Sequence, residues 1–145
     1  ERIRCLDMNG DRRRDLIVTF AHSDDAIMVF FGDGDFSFPL SQEYRLGKDR
    51  FRREYGVQDL VVDDFNADGR PDVAVACADA GAVVLLKNSA APKDLLPLHF
   101  DVETYPIEDS QPHALAAGDI NHDGKPDLAV GLWGADAVAL LFSRP

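Results

Sequence analysis

The sequence predicts an all-β chain, a partial β-propeller of about three four-stranded antiparallel blades. Three observations predict it. An aspartate-rich stretch recurs three times, short apolar runs flank each recurrence at matching offsets, and none of these runs has the length or period of a helix.

The recurring stretches read DMNGDRRRDLIVTF from Asp7, DFNADGRPDVAVAC from Asp64 and DINHDGKPDLAVGL from Asp119, with starts 57 and 55 residues apart. A short apolar run precedes each: Ile3–Leu6, Asp59–Val62 and Ala114–Ala117. Leu16–Phe20, Val73–Cys77 and Leu128–Leu132 follow as second strands, and Ala26–Phe31, Ala82–Leu86 and Ala137–Phe142 as third strands. These are almost continuously apolar, so both of their faces must be covered, as they are when sheets stack. A fourth run, Leu98–Tyr105, sets Phe100, Val102 and Thr104 against His99, Asp101 and Glu103. That alternation marks an outer strand with one wet face. The blades are expected at about 1–47, 57–107 and 112–145, the third without its outer strand. Asp49–Glu54 is the one place where a helical turn is conceivable.

Three blades do not close a ring, which needs about 4–8. The chain opens at Glu1 directly before a repeat, so an internal piece of a longer protein is expected, with the remaining blades supplied by further sequence or by other copies. No apolar run is long enough to insert in a membrane. The net charge of −11 argues against nucleic acid, whose binders present a basic face. Cys5 and Cys77 lie inside apolar runs and are expected as core residues rather than a disulfide framework.

Between the first two strands of each blade, the pattern D-x-N-x-D-G-x-P-D places oxygen side chains at positions 1, 3, 5 and 9. In the second loop these are Asp64, Asn66, Asp68 and Asp72; in the third, Asp119, Asn121, Asp123 and Asp127. The position-7 carbonyl, of Arg70 or Lys125, adds a further oxygen. A hard cation such as Ca2+ takes several oxygens, and alternate residues of a tight loop can point inward together. An EF-hand opens the same way but needs a glutamate at position 12 and a following helix. Position 12 here is Val75 or Val130, inside an apolar β-run, which excludes it. Ordinary Asx turns are the bland alternative. They leave unexplained why three carboxylates crowd within nine residues, where like charges repel unless a cation intervenes.

The first loop keeps Asp7, Asn9, Asp11 and Asp15, with Arg13 supplying the carbonyl, but has Arg12 at position 6, where the others have Gly69 and Gly124. A non-glycine residue in a left-handed turn costs about 1–2 kcal/mol, and Arg12–Arg14 partly neutralise the carboxylates, so weaker calcium binding is expected there. Three bound ions would bring the charge from −11 to −5. The expected role of the metal is structural, clamping first strand to second.

DFNADGRPDVAVA and DINHDGKPDLAVG, together with FFGDGDFSF at Phe30–Phe38, resemble the FG-GAP or VCBS repeat family, found in integrin α-subunit head propellers and many secreted bacterial proteins. The resemblance covers essentially the whole chain. It implies a propeller, often seven-bladed, with calcium in the loops between first and second strands. Arg12–Arg14 departs from the family pattern.

The end of the blades opposite the metal loops carries His22–Asp25, Ala78–Gly81, Trp133–Asp136, Gly47–Tyr55 and Glu108–Pro112. Binding concentrates in such loops. Trp133 would serve there as a stacking platform for a sugar or peptide, or as a ring packed against another blade. The basic run Lys48–Tyr55 would meet an acidic ligand or remain solvated. His22, His99, His113 and His122 fall at unrelated places in the repeat, and no nucleophile turn is recognisable, so no catalytic residue is assigned. An extracellular binding or adhesion module for a protein or glycan is therefore expected. The alternatives are a propeller domain of a carbohydrate-active enzyme such as a polysaccharide lyase, and a structural repeat of a large surface protein. Calcium loops of this kind suit the extracellular space.

Overall fold

A computed structural model describes residues 2–20, 26–47, 54–89, 96–107 and 110–143. Among these residues every regular element is a strand. The first sheet runs in the order β1 (Arg2–Leu6), β2 (Asp15–Phe20), β3 (Ala26–Phe31) and β4 (Leu40–Arg45). The second comprises β5 (Val57–Asp63), β6 (Asp72–Cys77), β7 (Ala82–Asn88) and β8 (Phe100–Pro106). The third comprises β9 (Gln111–Gly118), β10 (Asp127–Trp133) and β11 (Ala137–Leu141). All pairings are antiparallel between sequence neighbours, the meander of a propeller blade. The possible helical turn at Asp49–Glu54 lies, but for Glu54, outside the described residues.

The second blade lies between the other two, and its inner strands show it. Every residue of β6 is buried, because Val73, Val75 and Cys77 face the first blade while Ala74 and Ala76 face the third. Between the first two blades, Ile17, Ile27, Val29 and Phe31 meet Leu60, Val84 and Leu86. Between the second and third, Val83 and Leu85 meet Leu115, Leu128 and Val130. Each fully buried Val or Leu contributes about 1.5–3 kcal/mol, so stacking is the main source of stability. Two covered faces are found in the middle blade, at β6 and β7, but not in β11, where the equally apolar run leaves Val138, Leu140 and the following Phe142 exposed because no described blade covers that side. In β2 the burial alternates instead, since Leu16, Val18 and Phe20 lie on the face turned away from the second blade.

Cys5 departs from expectation. It is exposed on that outer face of the first blade, whereas Cys77 is buried, and both are free thiols. Its apolar neighbours in sequence gave no sign of which face of β1 would be covered. The outer strands depart too. β4, with sequence LSQEYR, has no apolar period, yet Gln42 and Tyr44 turn inward. Gln42 Nε2 donates to the Leu98 carbonyl and its Oε1 accepts the Leu98 N–H, both at 2.7 Å, which ties the first blade to the approach of β8. Leu98 itself is buried ahead of the strand, and β8 is exposed along almost its whole length rather than on one face.

One buried carboxylate joins all three blades. Asp59 Oδ1 accepts from Arg2 Nε at 3.0 Å and from the Leu60 N–H, while Oδ2 accepts the Leu115 N–H at 3.0 Å. Arg4 stands 3.5 Å from the same carboxylate.

Candidate metal centre

Each loop between the first and second strands folds around the carboxylate of its first aspartate. In the second loop, Asp64 Oδ1 accepts the Asp68 N–H at 2.9 Å and Oδ2 accepts the Gly69 N–H at 2.7 Å. Asn66 Oδ1 accepts the same Asp68 N–H at 3.0 Å, and Asn66 Nδ2 donates to Asp68 Oδ2 at 2.8 Å. Asp68 Oδ1 accepts the Arg70 N–H at 2.9 Å. One N–H thus gathers the oxygens of positions 1 and 3, and the amide of position 3 reaches the carboxylate of position 5.

The other loops repeat this network bond for bond. Asp119 accepts the N–H groups of Asp123 and Gly124, Asn121 bridges to Asp123, and Asp123 accepts the Lys125 N–H. Asp7 accepts those of Asp11 and Arg12, Asn9 bridges to Asp11, and Asp11 accepts the Arg13 N–H. Short Asx turns of this kind are available to Asp and Asn because the side chain can reach its own backbone two or more residues on.

Two positions in each loop are left-handed, not one. At position 6, Gly69 and Gly124 have φ of 83° and 86°, and Arg12 has 68°. At position 4, Ala67 and His122 have φ of 57° and 63°, and Gly10 has 80°. Every loop therefore holds one glycine and one side-chain-bearing residue at positive φ. The first loop has only moved its glycine two places, and its backbone carries no strain that the others lack. What remains peculiar to it is the charge of Arg12–Arg14.

The aspartate at position 9 is set apart from the others. Asp15, Asp72 and Asp127 are buried and bracket the loop to the end of the third strand. Asp72 Oδ2 accepts the Phe65 N–H at 3.1 Å while Oδ1 accepts the Asn88 N–H at 2.8 Å. Asp15 does the same for Met8 and Gly32, and Asp127 for Ile120 and Ser143. Among the described residues, no three Asp, Glu, His or Cys side chains form one metal-sized cluster. The oxygens that come together belong to two carboxylates and an amide, with the position-9 carboxylate beside them in the sheet.

It is close enough to feel them. Burial pushes the Asp72 carboxyl up to about 6, and the charges of Asp68 and Asp64 push the same way, against the two backbone hydrogen bonds that lower it. Asp15 is likewise raised, by burial first, with Asp11 and Asp7 adding to it. At Asp127 burial also acts upward, but the donors of Ser143, Ile120 and Asn121 outweigh it and hold the carboxyl below its usual value. A set of oxygens that repel one another around a tight loop fits a hard divalent cation such as calcium, with Asp64, Asn66, Asp68, the Arg70 carbonyl and Asp72 as the residues able to hold it.

Position 2 of the loops carries a signal that the D-x-N pattern hides. Met8 is buried in the seam between the first two blades, and Asn88 Nδ2 of the second blade donates to its carbonyl at 3.1 Å. Phe65 packs correspondingly in the seam with the third blade. Ile120, at the same position of the third loop, is exposed. The side chain at position 2 anchors a loop to the next blade, so loop order and blade packing are coupled.

At the opposite end, Trp133 is 69% exposed and its ring lies 5.4 Å from that of His113, tilted by 39°. The two rings, with Asp136 and Val138, line a shallow depression. His122 is exposed in its loop. Lys48–Arg53 and His22–Asp25 lie outside the described residues.

A family model described as FG-GAP-like repeat matches this chain twice, over residues 7–75 and 64–130. Each match starts at the first aspartate of one loop and ends in the second strand after the next.

Proposed function

Because the chain belongs to the FG-GAP-like repeat family, a β-propeller-like repeat module, we propose that it is a calcium-stabilised extracellular binding module for a protein or glycan. The observation that carries the calcium reading is the crowding in the second loop. Asp64 and Asp68 close on Asn66, and both repel the buried Asp72. A divalent cation relieves that repulsion, and it binds the folded loop only, so its binding energy adds to folding stability. Asp7, Asn9, Asp11, the Arg13 carbonyl and Asp15 form the equivalent set in the first loop, and Asp119, Asn121, Asp123, the Lys125 carbonyl and Asp127 in the third.

The anchors Met8 and Phe65 give the metal a purpose beyond its loop. An ordered loop keeps its anchor in the seam, so calcium sets the stacking of blades and thereby the spacing of the loops at the other end. Ligand binding belongs to that other end, where Trp133 and His113 offer an exposed aromatic surface beside the Asp136 carboxylate. Extracellular calcium suits loops in the ~10⁻⁴–10⁻³ M range of loosely held modules.

Thermal melts in chelator and in millimolar calcium test the metal, and a rise of more than about 5 °C is expected from mass action on two or three sites. Because Trp133 is the sole tryptophan, its fluorescence reports directly on the proposed ligand end. Screening oligosaccharides and peptides for a shift in that emission tests the binding assignment, which fails if a ligand bound by calorimetry leaves the emission unmoved.

A further inference from the structure

We infer that Arg70 is a tethered counter-cation for its own loop, holding the loop to the sheet when calcium is scarce and competing with calcium when it is present. The inference rests on the reading of the loops as calcium sites. The guanidinium of Arg70 spans two partners. One of its terminal nitrogens pairs with Asp68 Oδ2, and its Nε donates to the Asn88 carbonyl at 2.8 Å. Asp68 is the position-5 ligand, and Asn88 is the last residue of β7, whose own N–H is bonded to Asp72. Arg70 therefore connects the same two structures as the position-9 carboxylate, the loop and the end of the third strand, from the solvent side.

The chemistry suits that task. Guanidinium is planar and permanently charged, and can donate to a carboxylate and a carbonyl at once. It places a positive charge at the carboxylate a cation would use. It is also tied to the loop, so it needs no ion from solution. The position-7 residue thus has two opposed effects: its carbonyl is offered to calcium, while its side chain stands in for calcium. All three loops have a basic residue at this place, Arg13, Arg70 and Lys125, and at Arg70 the contacts that make the device are seen. Because the Arg70 side chain is about one-third exposed, solvent weakens the repulsion and the competition is one of degree.

The test compares the wild type with Arg70→Met, Arg70→Lys and the charge control Arg45→Met, whose parent arginine lies at the far end of β4. Each is melted in chelator and then titrated with calcium by calorimetry. Arg70→Met should lower the chelated melting temperature by about 3–6 °C. It should also tighten calcium binding at one site roughly three- to tenfold, the effect of removing one screened positive charge near a divalent ion. Arg70→Lys should gain less calcium affinity than Arg70→Met and melt lower in chelator than the wild type, since a lysine keeps the charge and loses the fork. Arg45→Met should match the wild type in affinity. If Arg70→Met leaves both readouts unchanged, or weakens calcium binding, the inference is overturned. Absence of calcium uptake by wild type and variants alike would overturn the calcium reading and the competition with it. The chelated melt then decides the latch by itself: a fall upholds it and no change removes it.

Discussion

Replacing Asp72 by asparagine separates the two tasks of the position-9 carboxylate. The side chain accepts two buried N–H groups, from Phe65 and Asn88. An asparagine oxygen keeps one of them and its NH2 faces the other, so one buried donor is left without an acceptor, at about 1–3 kcal/mol. Against that, the substitution removes a buried charge that Asp64 and Asp68 oppose. A carboxyl raised from 3.8 to about 6 is penalised in its ionised form at neutral pH, and each unit is worth roughly 1.4 kcal/mol. The two contributions are of similar size and opposite sign. In chelator at pH 7, Asp72→Asn should therefore melt within about 5 °C of the wild type, at roughly 2–4 °C per kcal/mol for a chain of this length. In calcium the balance changes, because the ion already neutralises the repulsion and the variant has lost an anionic ligand. The rise in melting temperature on adding calcium should be clearly smaller than in the wild type, and calorimetry should show one site fewer or one site much weaker. An equally large loss in chelator and in calcium would instead make Asp72 a hydrogen-bond bracket alone, with no part in holding calcium.

Asp72 and Asp15 have folded-state values raised above the ordinary 3.8, so the folded chain holds their protons where the unfolded chain releases them. Without calcium these groups should make stability fall as pH rises from below 3.8 through about 6, while the calcium-dependent increment should grow over that window; urea midpoints at several pH values, with and without chelator, read both slopes. Asp59→Ala leaves the Leu115 N–H and two arginines without their shared acceptor and should cost about 2–4 kcal/mol by denaturant unfolding. Gly32→Ala would place a methyl group 2.1 Å from the Arg14 carbonyl oxygen, so a loss of about 3 kcal/mol or more is expected, and it should be larger than that of Gly10→Ala, where space is open.

Much of the fold was legible because its signals are local. The aspartate pattern fixes where a first strand ends and a second begins, and an apolar run without alternation marks a strand covered on both faces in β6 but not in β11, whose Val138 and Leu140 are exposed. The outer strands were less so. β4 is held by its pairing with β3 and by the Gln42–Leu98 amide exchange, a contact across 56 residues that no periodicity encodes. The exposure of Cys5 has the same origin, since a strand sequence does not say which of its faces another blade will cover.

In the loops, the sequence pattern names the polar residues but not how their side chains are bonded. The bracket made by Asp15, Asp72 and Asp127 depends on N–H groups 16 or 17 residues away, at Gly32, Asn88 and Ser143. The second left-handed position was visible only as a spacing: Gly10 in one loop stands where Ala67 and His122 stand in the others, so the Arg12 departure is half of an exchange. The apolar residues at position 2, Met8, Phe65 and Ile120, were a signal in plain view, a hydrophobic side chain inside a polar loop at the same place three times.

Calorimetric titration of the chelator-treated chain with calcium distinguishes metal-holding loops from plain turns. Two or three ions per chain are expected to bind, with the Arg12–Arg14 loop the weakest and each ion raising the melting temperature. Binding of no calcium, with an unmoved melt, would make the three loops Asx-turn connections that hold their shape without a metal.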